Sequence, residues 1–95
     1  MSVIAIAKVT AADGEALEAL AMIKQSQVKA LNSDVCEKFD ILQNVENPHC
    51  FSLFEVWHSI EGHKAFLQML MKTRDFTEGM KCVAEGPYIE YFDLR

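Results

Sequence analysis

The residue best suited to proton transfer is His63, which stands in a predicted helix. Helical spacing places it on one stripe with Ile60, Leu67 and Leu70, so its ring is expected to face inward. An imidazole titrates close to neutral pH and can take a proton from a phenol or an activated C–H group. His63 is therefore the candidate catalytic base. The alternative is a core histidine that only hydrogen-bonds to a backbone carbonyl.

Glu55 and Trp57 form a second candidate group because they share one face of the predicted strand CFSLFEVW. Trp57 would offer an apolar wall on which a flat aromatic ligand can stack, or it would be a core or dimer-interface residue. A buried Glu55 must be paired or protonated. A cation such as Lys24, Lys38 or Arg74 would make it structural; without one, it would be a carboxylate base in a pocket.

Two cationic residues are candidates for contact with a ligand. The first helix is expected to bury an apolar stripe of Leu17, Leu20, Ala21, Val28 and Leu31. Lys24 interrupts this stripe, so it either extends its stem along it or lines a polar cavity. Arg74 precedes a short helix, where it would clamp an anionic or carbonyl oxygen or remain solvated. The expected walls of the pocket are aromatic or aliphatic side chains: Phe51, Phe54, Leu67 and Phe76.

Metal binding and disulfide formation are not expected. His58 and His63 lie five residues apart across a strand-to-helix junction, and no third ligand follows at metal spacing. The three cysteines are odd in number and lack Cys-x-x-Cys spacing, so they are expected to be reduced thiols of a cytoplasmic protein. Cys36, near a loop, is the one that could react.

Charge and hydropathy exclude further classes of function. The net charge is −5 and no basic run occurs, which argues against a nucleic-acid partner. No apolar run approaches the roughly 20 residues that span a bilayer, and the N-terminal segment lacks the basic region of a signal peptide. We expect a protein that contacts neither nucleic acid nor membrane.

The remaining pattern predicts one α+β domain over residues 1–95. Strands are expected at Val3–Val9, Cys36–Gln43, Cys50–Trp57 and Tyr88–Leu94. Helices are expected at 15–31 after an Asp13 cap, from a Ser59 cap to about Met71, and from a Thr73 cap until Gly86-Pro87. The order βαββαβ is ferredoxin-like: a four-stranded antiparallel sheet with helices on one face.

The strand CFSLFEVW is largely apolar on both faces, whereas a strand covered on one side only should alternate apolar and polar residues. Its own helices can cover one face. A second copy of the chain is expected to cover the other, since symmetric dimers are the commonest assembly. The sequence therefore predicts a homodimer in which two sheets face each other.

The segment FSLFEVWHS, the amphipathic helix after it and the later TRDF resemble the antibiotic biosynthesis monooxygenase family, whose members are related to quinol monooxygenases. The segment FDILQ and the polar turn after it are also similar to that family. The resemblance implies a dimeric α/β barrel with a pocket in each subunit between sheet and helices. Members often carry a histidine nine residues after the strand tryptophan, a position that Phe66 occupies here.

The resemblance also implies oxidation of an electron-rich aromatic, a quinol or an anthrone-like phenol, by O2 without metal or flavin. In this reading His63 and Trp57 are the catalytic residues, and the ligand is small and hydrophobic or aromatic. Two alternatives stay open. The same base would serve an isomerase of a small metabolite, or the cavity would hold a ligand without catalysis.

Overall fold

The computed structural model describes residues 2–95 and arranges them as four strands and three α-helices. The strands are β1 (Val3–Ala11), β2 (Cys36–Gln43), β3 (Cys50–Trp57) and β4 (Val83–Phe92). The helices are α1 (Ala16–Asn32), α2 (Ile60–Leu70) and α3 (Arg74–Gly79), and a 3-10 turn follows at Met80–Cys82. The strands form one antiparallel sheet in the order β2-β3-β1-β4. This arrangement confirms the predicted ferredoxin-like fold.

The two central strands divide the sheet into a covered and an open face. On β1 the alternate residues Ala5, Ala7 and Val9 are buried, and on β3 the residues from Phe51 to Trp57 at alternate positions are buried. Small alanines on β1 let the helices approach this face closely, while the larger β3 side chains fill the space beside them. The core therefore lies between the sheet and the helices.

Side-chain caps fix where α2 and α3 begin. Ser59 Oγ accepts a hydrogen bond from the Gly62 N–H at 2.9 Å, and Thr73 Oγ1 accepts one from Phe76 at 3.4 Å. Both caps are the predicted ones. The predicted cap at Asp13 is wrong, because Glu15 occupies the cap position of α1 and makes no side-chain capping bond.

Helix α1 buries a different face from the predicted one. Leu17 and Val28, expected in the core, are 80% and 58% exposed. The buried residues are instead Ala19, Met22, Ile23, Ser26 and Ala30. Small side chains at both ends of this stripe bring the helix close to the sheet. The buried hydroxyl of Ser26 is satisfied because it donates to Met22 O at 3.1 Å.

Strand β4 begins five residues earlier than predicted and continues through Gly86-Pro87. Its pairing with β1 shifts register between Lys8 and Thr10. Gly86 has a φ of +92°, and a Cβ there would lie 2.3 Å from Lys8 O. Only glycine fits this irregularity, so the Gly-Pro pair bends the strand instead of ending it.

The open face of the sheet carries apolar side chains that no other element within residues 2–95 covers. Ile4, Ile6, Phe54 and Val56 are partly accessible at its centre, and the Phe92 side chain is exposed at its edge. No helix within residues 2–95 is long and apolar enough to cross a membrane.

Candidate functional site

Glu55 and Trp57 point to the covered face of β3 and touch each other. They lie two residues apart, so the strand pleat directs both side chains toward the helices. The indole Nε1–H of Trp57 donates to Glu55 Oε1 at 2.8 Å. Trp57 is completely buried and Glu55 is 3% exposed. A carboxylate thus lies inside the core, where its partners decide its chemistry.

The imidazole of His63 closes the third side of this group. The Ser59 cap sets the phase of α2, and His63 then falls on the buried stripe at 2% exposure. Its Nε2 lies 3.4 Å from Glu55 Oε1, and its ring centroid is 4.7 Å from that of Trp57 at an interplanar angle of 51°. The sequence prediction that His63 faces inward is confirmed.

Tyr91 on β4 is a fourth member that the sequence analysis missed. Its hydroxyl oxygen lies 2.7 Å from His63 Nδ1, and the two rings meet edge to face with centroids 5.5 Å apart. Burial, and secondarily the charge of Glu55, raises the pKa of Tyr91 above its usual value, so the phenol keeps its proton at neutral pH. The alternation Ile89, Tyr91 on the strand was the signal that could have placed it on the covered face.

The contacts restrict the protonation of His63. With Glu55 ionised, a neutral ring satisfies both neighbours only if Nε2 carries the hydrogen toward the carboxylate and Nδ1 accepts from the Tyr91 hydroxyl. A doubly protonated ring would form an ion pair with Glu55 and donate from Nδ1 to the Tyr91 oxygen. In both states Nδ1 is engaged by the Tyr91 hydroxyl at 2.7 Å, while Nε2 faces Glu55 Oε1 at 3.4 Å.

A cavity of about 50 Å³ borders this group between the sheet and the helices. Glu55 lines this cavity, and its Oε2 makes no hydrogen bond within residues 2–95. The other lining residues are mostly apolar: Ala7, Val9, Met22, Ile23, Ser26, Phe39, Leu53, His63, Phe66, Leu67, Leu70, Phe76, Met80, Pro87 and Ile89.

The structure brings some of the predicted pocket residues to this cavity. Leu67 and Phe76 line it, together with Glu55 and His63. Phe51 is buried on the same face of β3, in the core but not in the cavity wall. Trp57 likewise lies behind the wall, where it holds Glu55. Its link to the cavity is thus indirect, through the Glu55 carboxylate.

Three predicted pocket residues lie elsewhere. Phe54 is on the open face of the sheet, because it alternates with the buried residues of β3, and Lys38 Nζ lies 5.7 Å from its ring centroid. Lys24 and Arg74 have exposed side chains. Lys24 was placed in an apolar stripe that the helix does not bury. Phe54, Lys24 and Arg74 thus lie outside the lining of this cavity.

The cations expected to pair with Glu55 do not reach it. Lys38 Nζ lies 3.6 Å from Asp40 Oδ2 on the open face, and Lys24 and Arg74 are solvated. Trp57 and His63 are the partners instead. The carboxylate is thus held by a neutral donor and a titratable ring.

Neither a metal ligand set nor a reactive thiol accompanies this site in the described part of the chain. Residues 2–95 bring no three His, Cys, Asp or Glu side chains together as metal ligands. The thiols of Cys36, Cys50 and Cys82 are free. Burial raises the pKa of Cys36 to about 11 from its usual 9.0, which disfavours the thiolate that a reactive cysteine needs.

Fold and site together define a class: a ferredoxin-like α+β protein with a carboxylate–imidazole pair beside an apolar cavity. The sequence model of the antibiotic biosynthesis monooxygenase family matches residues 2–77. The chain therefore belongs to the antibiotic biosynthesis monooxygenase family. No curated protein gave a significant match to the sequence.

Solved structures agree on the fold. A conserved protein from Methanosarcina mazei Go1 matches with a TM-score of 0.80 at 16% identity, covering 100% of this chain and 94% of its own. PA3566 from Pseudomonas aeruginosa gives 0.78 at 19% identity, covering 96% and 91%. A Bordetella bronchiseptica protein named for the same family gives 0.78 at 21% identity, covering 99% and 97%. At these identities the likeness establishes the fold alone.

Proposed function

We propose that this protein is a cofactor-independent monooxygenase that oxidises an electron-rich aromatic hydroxyl compound with O2. The observation that carries the proposal is the buried pair of Glu55 and His63 in the lining of an apolar cavity, with no hydrogen bond to Glu55 Oε2 from residues 2–95. A base in such a place is shielded from water and can ionise a phenol held against it. Membership of the monooxygenase family supports the same reaction class.

The base in this proposal is Glu55, and His63 supports it. Tyr91 engages Nδ1 of the imidazole and the carboxylate itself faces Nε2, so we assign the proton of the substrate hydroxyl to Glu55 Oε2. Trp57 and His63 both contact Oε1, which holds the carboxylate in place and stabilises its negative charge before the transfer. The base assignment thus moves from the ring of His63 to its carboxylate neighbour.

The ionised ring then reduces O2 directly. One electron passes from the phenolate to O2, and the resulting radicals combine at a ring carbon that bears hydrogen to give a peroxide anion. Glu55 returns its proton to the outer peroxide oxygen. The O–O bond then breaks as the ring C–H is lost, which leaves one oxygen atom as a new carbonyl and the other in water. Because the substrate supplies all the electrons, neither flavin nor metal is required.

The second candidate function uses the same base without oxygen. A carboxylate with one free oxygen in an apolar cavity also suits removal of a proton α to a carbonyl, which would make the protein an isomerase. Product formation at an unchanged rate under strict anaerobiosis would favour this candidate.

Oxygen uptake with a panel of simple quinols tests the leading function. We expect uptake above the enzyme-free rate, and a loss of about 100-fold or more in Glu55→Gln, since general bases contribute about 10²–10⁴-fold. Glu46→Gln is the matched control because Glu46 is exposed in the turn after β2. Wild-type uptake no faster than that of Glu55→Gln would refute the role of the carboxylate.

The assembly that we propose is a homodimer through the open sheet faces. The partly accessible apolar residues Ile6, Phe54 and Val56 at the centre of that face support a second copy as its cover. Native mass spectrometry should show a dimer that Phe54→Lys converts to folded monomer. A wild-type monomer at micromolar concentration would contradict the proposal.

A further inference from the structure

We infer that the cavity takes an uncharged, single-ring ligand with a hydrogen-bond donor, and excludes anions and fused-ring compounds. The inference rests on the proposed function where it concerns the reaction of the bound ligand. The property that it predicts is the selectivity of ligand binding. It narrows the substrate to a simple neutral phenol.

The charge of the lining excludes anions. Among the lining residues of the described chain there is no lysine or arginine; Glu55 is the only acid and His63 the only titratable base. A carboxylate or phosphate on the ligand would lie beside Glu55 in an apolar site with no free cation to compensate it. Lys24 and Arg74, the cations that the sequence predicted at the pocket, are exposed and do not line the cavity.

The hydrogen-bonding capacity of the lining calls for a donor on the ligand. Glu55 Oε1 already accepts from Trp57, whereas Oε2 has no partner within residues 2–95. The other polar lining groups are engaged: Ser26 donates to Met22 O, and His63 is held by Tyr91 and Glu55. A hydroxyl can donate to Oε2, but a methyl ether at the same position cannot.

The volume restricts the ligand to one ring. The cavity measures about 50 Å³, whereas an engineered apolar cavity that binds benzene measures about 150 Å³. The wall able to yield is the one formed by Met22, Phe76 and Met80, because methionine adapts its shape and α3 contains no buried residue. Because the cavity is smaller than one ring requires, binding of a single ring must displace this wall. A three-ring compound would require the core itself to open.

Equilibrium binding at pH 7, followed by protein chemical shifts in NMR, tests the inference with four probes. The probes are phenol, anisole, 4-hydroxybenzoate and 2-hydroxyanthracene, a three-ring compound that keeps the hydroxyl donor. We expect phenol to bind at least about tenfold more tightly than each of the others, a ratio that corresponds to the loss of one good hydrogen bond. Equal affinity for phenol and anisole would overturn the donor requirement. Equal or tighter binding of 4-hydroxybenzoate would overturn the charge restriction, and equal or tighter binding of 2-hydroxyanthracene would overturn the size restriction.

Variants locate the effect at Glu55. Glu55→Gln should reduce the preference for phenol over anisole, whereas Glu46→Gln should keep it; an unchanged preference in Glu55→Gln would overturn the assignment. The wild-type comparison needs no variant, so it stands even if Glu55→Gln folds poorly. Binding is measured without turnover. A phenol preference without oxygen uptake would refute the proposed oxygenase alone, and uptake without that preference would refute this inference alone.

Discussion

Replacing Glu55 by leucine should destabilise the protein severely, although the two side chains are similar in size. The change leaves the fully buried Trp57 N–H without its 2.8 Å acceptor and His63 without its carboxylate at 3.4 Å. A buried donor without a partner costs about 1–3 kcal/mol, and breaking a buried pair by removing one member costs about 3–5 kcal/mol in total. For a chain of 95 residues, the expected free energy of unfolding is about 5–14 kcal/mol. Glu55→Leu should therefore lose a large share of the stability.

Urea denaturation followed by tryptophan fluorescence measures this loss directly, because Trp57 is the only tryptophan and belongs to the group. Glu55→Gln keeps a carbonyl acceptor for the indole, so it should lose only about 1–2 kcal/mol. Glu46→Leu, an exposed control, should stay within about 0.5 kcal/mol of wild type. If Glu55→Leu unfolds at the same urea concentration as wild type, the carboxylate is not held by the contacts described and the reasoning fails.

Three further changes test other parts of the account. Tyr91→Phe removes the hydroxyl 2.7 Å from the imidazole and should lower the free energy of unfolding by about 1 kcal/mol, measured as a melting-temperature decrease of about 4–8 °C. Tyr88→Phe, at an exposed site, should change the melting temperature little. Equal melting temperatures for the two variants would count against the contact between Tyr91 and His63. The thiol of Cys36, with a pKa raised to about 11, should resist alkylation at pH 8. Its contribution to the free energy of unfolding should be full below pH 9.0 and should decline as the pH rises toward 11, because the folded protein favours the neutral thiol. Rapid labelling of the native protein would contradict the burial of this thiol. Gly79→Ala places a Cβ 2.2 Å from Met22 Cγ, so α3 must move away from α1. This movement should lower the free energy of unfolding, measured by urea denaturation, by about 1–3 kcal/mol. A variant as stable as wild type would show that Met22 and α3 can shift at no cost.

Strand pattern and capping chemistry predicted most of the fold. The strands β2 and β3 have the expected bounds, and Ser59 and Thr73 cap their helices as expected. These features depend on neighbours within a few residues, which the sequence displays directly. The predicted start of β4 was wrong because a Gly-Pro pair usually ends a strand or helix. Here Gly86-Pro87 accommodates a register shift against β1 and the strand continues through it.

The buried face of α1 could not be read from hydrophobicity alone. Leu17 is more hydrophobic than Ala19 on any hydropathy scale, yet Ala19 is buried and Leu17 is exposed. The close approach of the helix to the sheet selects small side chains, and that distance is a tertiary property. Lys24 was assigned to a cavity wall for the same reason, as part of a stripe that faces solvent.

Part of the site was also accessible from the sequence. The inward orientation of His63 and the shared face of Glu55 and Trp57 follow from helix and strand periods. The contact with Tyr91 does not, because it joins residues 28 positions apart through the pairing of β1 with β4. That contact engages the second ring nitrogen, and it is the reason why the proposed base is Glu55 and not the imidazole.

The most direct test of the account is the fate of isotope-labelled O2 in a reaction with 1,4-hydroquinone. Conversion to hydroxyquinone balances as one quinol and one O2 giving one hydroxyquinone and one water. We predict that mass spectrometry will find one labelled atom in the hydroxyquinone, above the enzyme-free background, with wild type and Glu46→Gln but not with Glu55→Gln. Unlabelled product, or labelling that Glu55→Gln leaves unchanged, would contradict the claim that this buried carboxylate drives oxygen insertion.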